Sequence, residues 1–255
     1  MKNLLVKFWR SFDETERLKI RKFLTLRFRR VQHNVYRAII GSDLKMLCAV
    51  YGSDKWGSHW YAQHYETFFA PLRKKKLNIL EIGVGGYEDP ESGGGSLRMW
   101  RTYFPKSQIY GIDIYDKSPH DEGRIKTFKG SQVDEDFLFK AIRTIGEEVD
   151  IIIDDGSHQN EHVLRTFTIL FPRLSENGIY VIEDTQTSYW HRYGGSNENF
   201  DLPDTTMGFL KKLSDGLNYL EFEKENYQPT YYDRNIIAMH FFHNIVFIQK
   251  GLNLK

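Results

Sequence analysis

Acidic residues in this chain recur directly after short aliphatic runs. Glu81 ends Leu77–Glu81 just before Ile82, Asp113 closes Gln108–Ile112, Asp154 and Asp155 close Val149–Ile153, and Glu183 and Asp184 close Gly178–Ile182. Each run reads as a buried β-strand. Neighbouring parallel strands lie about 5 Å apart, so carboxylates at their ends converge. Uncompensated, they repel and raise one another's pKa values. A hard divalent cation resolves this, and an all-oxygen set suits Mg²⁺, with waters or substrate hydroxyls completing its shell. Asp155, Glu183 and Asp184 are the candidate ligands, while Asp154 is read as pointing into the sheet edge or capping a turn. His158 follows Asp155 by three residues. A metal-bound hydroxyl is more acidic than a free one, and a neutral imidazole beside it takes the proton. The alternative for His158 is an N-cap or a surface residue. His158 and His162 also have a zinc-like spacing, but no Glu follows His158 and oxygen ligands crowd the site.

The second chemical feature is the turn Gly83-Val84-Gly85-Gly86 after the first strand. Glycines there let the backbone turn tightly and approach a ligand. The pattern is shared by nicotinamide, flavin and methyl-donor enzymes. Two details favour S-adenosylmethionine. Glu81 precedes the first glycine by two positions, within reach of the donor's ammonium. The chain then runs through Tyr87–Gly95 before a helix begins, so a pyrophosphate would lack an adjacent helix N-terminus. Asp113 at the second strand end is placed to accept the ribose hydroxyls, or else to cap a loop.

These groups need a scaffold, and the chain supplies an alternation of strand and helix signals. Strands are expected at Leu77–Ile82, Gln108–Ile112, Ile125–Phe128, Val149–Ile153 and Gly178–Ile182. Helices are expected near Leu97–Phe104 with Ser96 as N-cap, at Asp134–Ile145, at Glu161–Phe171 and near 205–215. Asn235–His240 and Ile245–Gln249 read as a terminal antiparallel pair turned by Phe242-His243-Asn244. The fold expected is α/β, a doubly wound Rossmann-like sheet, which binds ligands beyond the carboxyl ends of its strands.

The 255 residues carry 35 Lys+Arg and 34 Asp+Glu, a net charge of +1 that argues against a general nucleic-acid binder. The single cysteine, Cys48, excludes an intrachain disulfide and a Cys-rich zinc site. The near-neutral total hides an asymmetry. Residues 1–40 hold 11 basic and 3 acidic residues, and 41–255 hold 24 basic and 31 acidic. Two domains follow: a basic amphipathic helical arm, 1–40, and a catalytic body, 41–255. In the arm, Leu4, Leu5, Phe8, Trp9 and Phe12 form one apolar stripe, and Ile20, Phe23, Leu24, Phe28 and Val31 form a second run. They read as a pair of helices packing on the body or another subunit, or as a peripheral contact with an anionic membrane. No apolar stretch reaches a transmembrane length, and no signal peptide is recognisable. The expectation is a cytoplasmic homo-oligomer, with possible placement on the inner membrane face through residues 1–40.

Six ordered motifs carry a resemblance. They are Leu80-Glu81-Ile82-Gly83-Val84-Gly85-Gly86-Tyr87, Gly94-Gly95-Ser96-Leu97-Arg98-Met99-Trp100, Tyr110-Gly111-Ile112-Asp113, Gly130-Ser131-Gln132, Asp154-Asp155-Gly156-Ser157-His158 and Ile182-Glu183-Asp184. Over roughly residues 50–190 the chain resembles the Mg²⁺-dependent class I O-methyltransferases that modify macrolide deoxysugars. The resemblance implies methyl transfer from S-adenosylmethionine to a hydroxyl of a saccharide or glycosylated acceptor. It implies a metal on Asp155, Glu183 and Asp184, and His158 as general base. Donor contacts are implied at Glu81, Gly83, Ser96, Asp113, Ser131, Gln132 and Asp155, with Tyr61 closing over the donor. The macrolide enzymes carry a larger N-terminal extension than the arm found here. The loop Thr185–Asn199, with Tyr189, Trp190, His191 and Tyr193, is read either as an acceptor lid hinged by Gly194 and Gly195 or as a packed aromatic loop. Competing readings are a catechol or polyketide O-methyltransferase, a nicotinamide-dependent oxidoreductase, and a membrane-recruited binding protein without catalysis.

Overall fold

Strands that are aliphatic on both faces require cover on both sides, and this sets the architecture. The computed structural model describes residues 13–254. Its seven strands are β1 Asn78–Ile82, β2 Gln108–Asp113, β3 Ile125–Lys129, β4 Val149–Asp154, β5 Leu174–Glu183, β6 Ile236–Phe242 and β7 Ile245–Lys250. They form one sheet in the order β3-β2-β1-β4-β5-β7-β6. The first five run parallel, whereas β7 pairs antiparallel with β5 and with β6.

The described α-helices are α1 Glu14–Ile39, α2 Leu44–Tyr51, α3 Ala62–Phe69, α4 Gly95–Tyr103, α5 Glu135–Ile145, α6 Asn160–Leu170, α7 Thr206–Asp215 and α8 Tyr231–Asn235. On one face of the sheet, Leu47, Tyr65, Phe69, Trp100 and Phe104 of α2 to α4 and the residue that follows α4 pack against Ile79, Ile151 and Phe247. On the other, Leu138, Ile142, Phe167 and Leu210 of α5 to α7 cover Leu80, Ile152 and Tyr180. The doubly wound expectation therefore holds, with the terminal antiparallel pair in place.

Register places the chemistry. Ile82 pairs with Asp154 and Asp154 pairs with Ile182, so the next residues along β4 and β5, Asp155 and Glu183, emerge side by side. Asp154 points the other way because side chains alternate along a strand. It is buried, with Gln132 Nε2 at 3.4 Å and the Tyr180 hydroxyl at 3.5 Å. Burial pushes its carboxyl up to about 7.

Three local expectations are corrected. Ser96 is not the N-cap of α4. Gly94 takes that position at φ 66°, and Ser96 lies in the first turn. The arm is not a pair of helices over its described part. A capping box between Asp13 and Glu16 starts a single continuous helix, α1, of 26 residues. The stripe Leu4, Leu5, Phe8, Trp9 and Phe12 lies outside the described residues. Thirdly, the excursion from Gly86 to Gly93 folds back on the glycine turn. The Gly94 amide donates to the Val84 carbonyl at 2.8 Å, so the α4 N-terminus does sit beside the turn. A pyrophosphate on this turn would therefore not lack an adjacent helix N-terminus, because a loop that is long in sequence closes in space.

That returning loop is clamped. Lys117 Nζ donates to the carbonyls of Asp89 and Ser92 at 2.7 and 3.3 Å, and His120 Nε2 lies 3.1 Å from the Ser92 carbonyl. Gly83 is fixed for a different reason. It has φ 89°, and a Cβ there would lie 2.0 Å from the Asp155 carbonyl oxygen. Gly194 also has positive φ, 75°, but nothing lies within 4 Å of its Cβ position.

Two outcomes follow from this packing. Gly83→Ala should lower the melting temperature clearly more than Gly194→Ala, since only the former adds a backbone clash to an unfavourable φ. Equal shifts in a thermal melt would contradict the assigned packing. Burial, assisted by Arg98 and Arg29, pulls the His120 imidazole down to about 4. The folded state then keeps this ring neutral where the unfolded chain, near 6.5, is protonated. Its stabilising contribution is full above about pH 6.5 and is lost as pH falls towards 4. His120→Asn should flatten the decline of melting temperature between pH 7 and 5.

Candidate active site

A cavity of about 650 Å³ opens beyond the carboxyl ends of β1, β2 and β4. The glycine turn forms its floor, with Gly83, Val84, Gly85 and Gly86. Asp113, Ser131 and Gln132 line the β2–β3 side, Ser96 comes from α4, and Asp155 and His158 stand at the far end. This is the place a doubly wound sheet offers a nucleotide-like ligand. Asp113 braces the turn as well as facing the cavity. Its Oδ2 accepts from the Val84 amide at 3.0 Å and its Oδ1 from the Tyr115 amide at 2.9 Å. Gln132 is similarly held, with Oε1 accepting from the Ser157 amide at 2.8 Å and Nε2 donating to Thr166 at 3.0 Å.

The carboxylates beyond the cavity divide into two groups. Asp155, His158 and Asp184 each offer an atom within 4.8 Å of the others, a spacing that one ion can span. His158 Nε2 lies 3.5 Å from Asp184 Oδ2 and 3.8 Å from Asp155 Oδ1. Both His158 and Asp184 hold left-handed backbone, φ 56° and 55°. Such conformations cost energy in non-glycine residues and concentrate at functional sites. Glu183 faces elsewhere. Its Oε1 accepts from Lys55 Nζ at 2.7 Å and from the Tyr65 hydroxyl. Lys55 also donates to Asp155 Oδ2 at 2.6 Å and stands 3.2 Å from Glu81 Oε1. Its ammonium is fully buried. Burial alone would lower its pKa, but Asp155, Glu183 and Glu81 outweigh burial and hold it well above the usual value. Burial raises the Asp155 and Glu183 carboxyls, and Lys55 opposes that rise.

The expected residues thus fall into distinct places. Gly83, Ser96, Asp113, Ser131, Gln132, Asp155 and His158 share the cavity wall. Glu81 does not reach that wall. It is buried, and its Oε1 lies 3.2 Å from Lys55 Nζ. Tyr61, expected to close over a donor, does not line the cavity. Its hydroxyl donates to Asp184 Oδ1 at 2.6 Å and to the Asn244 carbonyl at 3.2 Å, so it braces the β5 strand end. Of the three expected ligands, Asp155 and Asp184 group with His158, while Glu183 is bonded by Lys55, which also bonds Asp155, and by Tyr65. The carboxylates are also not uncompensated, as the sequence suggested. Lys55 is the missed residue. Its only signal was the polar run Ser53-Asp54-Lys55 within an aromatic segment.

The loop after β5 is tied to α6. Asn160 Nδ2 donates to the carbonyls of Thr187 and Tyr193 at 3.1 and 2.8 Å. A second cavity of about 540 Å³ lies beside it and shares His162 and Tyr193 with the first.

No protein-family model matches the chain. It is 47% identical over 213 residues to the mycinamicin VI 2''-O-methyltransferase of Micromonospora griseorubida, covering 83% of this chain and 53% of that enzyme. It is 48% identical over 206 residues to the 8-demethyl-8-alpha-L-rhamnosyl tetracenomycin-C 2'-O-methyltransferase of Streptomyces olivaceus, covering 80% and 53%. The crystal structure of MycE methyltransferase from the mycinamycin biosynthetic pathway, in complex with Mg, SAH and mycinamycin VI, superposes with a TM-score of 0.80 at 46% identity, covering 84% of this chain and 54% of that one. The chain spans about half the length of the curated relatives it matches. Over that half, it has the methyltransferase fold and is similar in sequence to the O-methyltransferases that act on the deoxysugars of macrolides and tetracenomycins.

Proposed function

We propose that the chain transfers a methyl group from S-adenosylmethionine to a hydroxyl of a saccharide or glycosylated acceptor, with Mg²⁺ as the metal. The observation that carries this reading is the adjacency of the glycine-floored cavity to the Asp155–His158–Asp184 group, together with the similarity to sugar O-methyltransferases.

The residues fit both groups. Asp113, Ser131 and Gln132 offer polar atoms to an adenosine, and the glycine turn lets its backbone approach closely. The buried Glu81 carboxylate, paired with Lys55 behind the glycine turn, is the acidic group nearest in sequence to that turn for the donor's ammonium. Asp155 and Asp184 offer hard oxygens to a divalent cation, and Glu183 is a third once it leaves Lys55. Such an ion, when bound, lowers the pKa of an acceptor hydroxyl and holds it in place. His158 Nε2 then accepts the hydroxyl proton, and the nearby Asp155 and Asp184 carboxylates stabilise the imidazolium. The acceptor oxygen attacks the sulfonium methyl in line, and the thioether leaves. The protein's work here is positioning and exclusion of water. The second cavity, between Gln159, Glu161, Tyr193 and Asp204, is the proposed acceptor side.

We further propose the division into an arm, 1–40, and a catalytic body, 41–255, with the arm contacting an anionic surface. Residues Arg29, His33 and Tyr36 of α1 meet Pro119, Thr102 and Tyr51 on the body. The opposite side leaves Leu24, Phe28, Val31 and Val35 exposed. No acidic residue lies between Glu16 and Asp43, while Arg27, Arg30 and Arg37 stand exposed. Like charges disfavour pairing two copies across this face, and anionic headgroups complement it. A homo-oligomer would then assemble through another surface. No described helix is long and apolar enough to cross a membrane.

Two experiments test these readings. His158→Ala should retain S-adenosylhomocysteine binding by calorimetry while losing about 100-fold or more in turnover of a glycosylated macrolide; near-wild-type rates would remove His158 as the base. Phe28→Asp combined with Val31→Asp should abolish sedimentation with phosphatidylserine-containing vesicles. Unchanged sedimentation refutes the surface, and a changed mass by light scattering would assign the face to self-association instead.

A further inference from the structure

We propose that Lys55 is a resident cation that competes with the divalent ion for Asp155 and Glu183, so that metal binding requires displacing its ammonium towards Glu81. This inference rests on the metal reading above.

The geometry is specific. Lys55 Nζ lies 2.6 Å from Asp155 Oδ2 and 2.7 Å from Glu183 Oε1, direct hydrogen bonds that occupy lone pairs an ion would use. The same nitrogen stands 3.2 Å from Glu81 Oε1, a longer ion-pair contact than the other two. The ammonium therefore has a third carboxylate, Glu81, within reach when an ion takes Asp155 and Glu183. Tyr65 donates to the same Glu183 oxygen and keeps one partner in place when the lysine moves. A fixed positive charge a few ångströms from the site also opposes a divalent cation directly, and burial leaves little solvent to screen that repulsion. Charge accounting agrees. Glu81, Asp155, Glu183 and Asp184 bring four negative charges. Lys55 and a divalent ion supply three positive ones, and a donor ammonium would supply the fourth.

The arrangement makes the lysine a positioning residue with two opposed effects. It keeps the cluster folded without metal, because three buried carboxylates with no counter-charge would destabilise the fold severely. It also weakens the metal it makes room for.

The test is calorimetric titration of Mn²⁺ and Mg²⁺ into the wild-type chain, Lys55→Met and Lys55→Arg. Lys55→Met should bind about tenfold tighter or more, and metal should raise its melting temperature further than that of the wild type. Lys55→Arg, which keeps the charge, should stay at least as weak as the wild type. If Lys55→Met folds only with metal present, that dependence is itself the expected result. The wild type gives an independent readout, since the side-chain ¹⁵N resonance of the buried ammonium should shift as Mg²⁺ is added. Equal affinities in wild type and Lys55→Met, or a resonance that ignores the metal, overturn the inference and leave the metal reading standing. An absence of binding in every chain removes both.

Discussion

One buried ammonium organises this protein's functional end. Lys55 stands among Glu81, Asp155 and Glu183, which belong to three adjacent parallel strands or their immediate extensions. A parallel sheet with register Ile82–Asp154–Ile182 forces such side chains together. Their repulsion in a low-dielectric interior would be prohibitive without an internal partner. The segment before the first strand supplies it, and so the residues ahead of the sheet become part of the site rather than an attachment to it.

The same segment stiffens the rest. Tyr61 and Tyr65, at the start of α3 and within it, hydrogen-bond to Asp184 and Glu183. Tyr65 also packs on Trp100 and Phe247, which ties the carboxylates to one face of the core. The glycine turn is held by Asp113, and the loop that returns to it by Lys117 and His120. A cavity bounded by a fixed turn and a fixed strand end is preorganised, which is what a transfer reaction between two bound partners needs. Left-handed backbone at His158 and Asp184 is carried by this surrounding framework.

Charge separates along the chain in the same way as function. The body concentrates carboxylates where cations are wanted, at the strand ends. Between Glu16 and Asp43 the sequence holds basic residues and no acidic one. The near-zero total is thus the sum of two local imbalances, each pointing at its own partner.

Much of this was legible in the sequence. The aliphatic-rich runs Val149–Ile153 and Leu77–Ile82 announced buried parallel strands, and the acidic residues at their ends marked the ligand end, where such a sheet binds. What the sequence did not carry were relations between segments distant in the chain. Lys55 lies 128 residues from Glu183, and no local pattern marks that pair. The return of the Gly86–Gly93 loop to Val84 is likewise invisible, since spacing along a chain says nothing of closure in space. Tyr61 read as a donor cover but serves Asp184 from behind. Periodicity and strand-end chemistry are local and survive in one dimension. Compensation of buried charge is a three-dimensional property, and only the folded packing decided which cation answers which carboxylate.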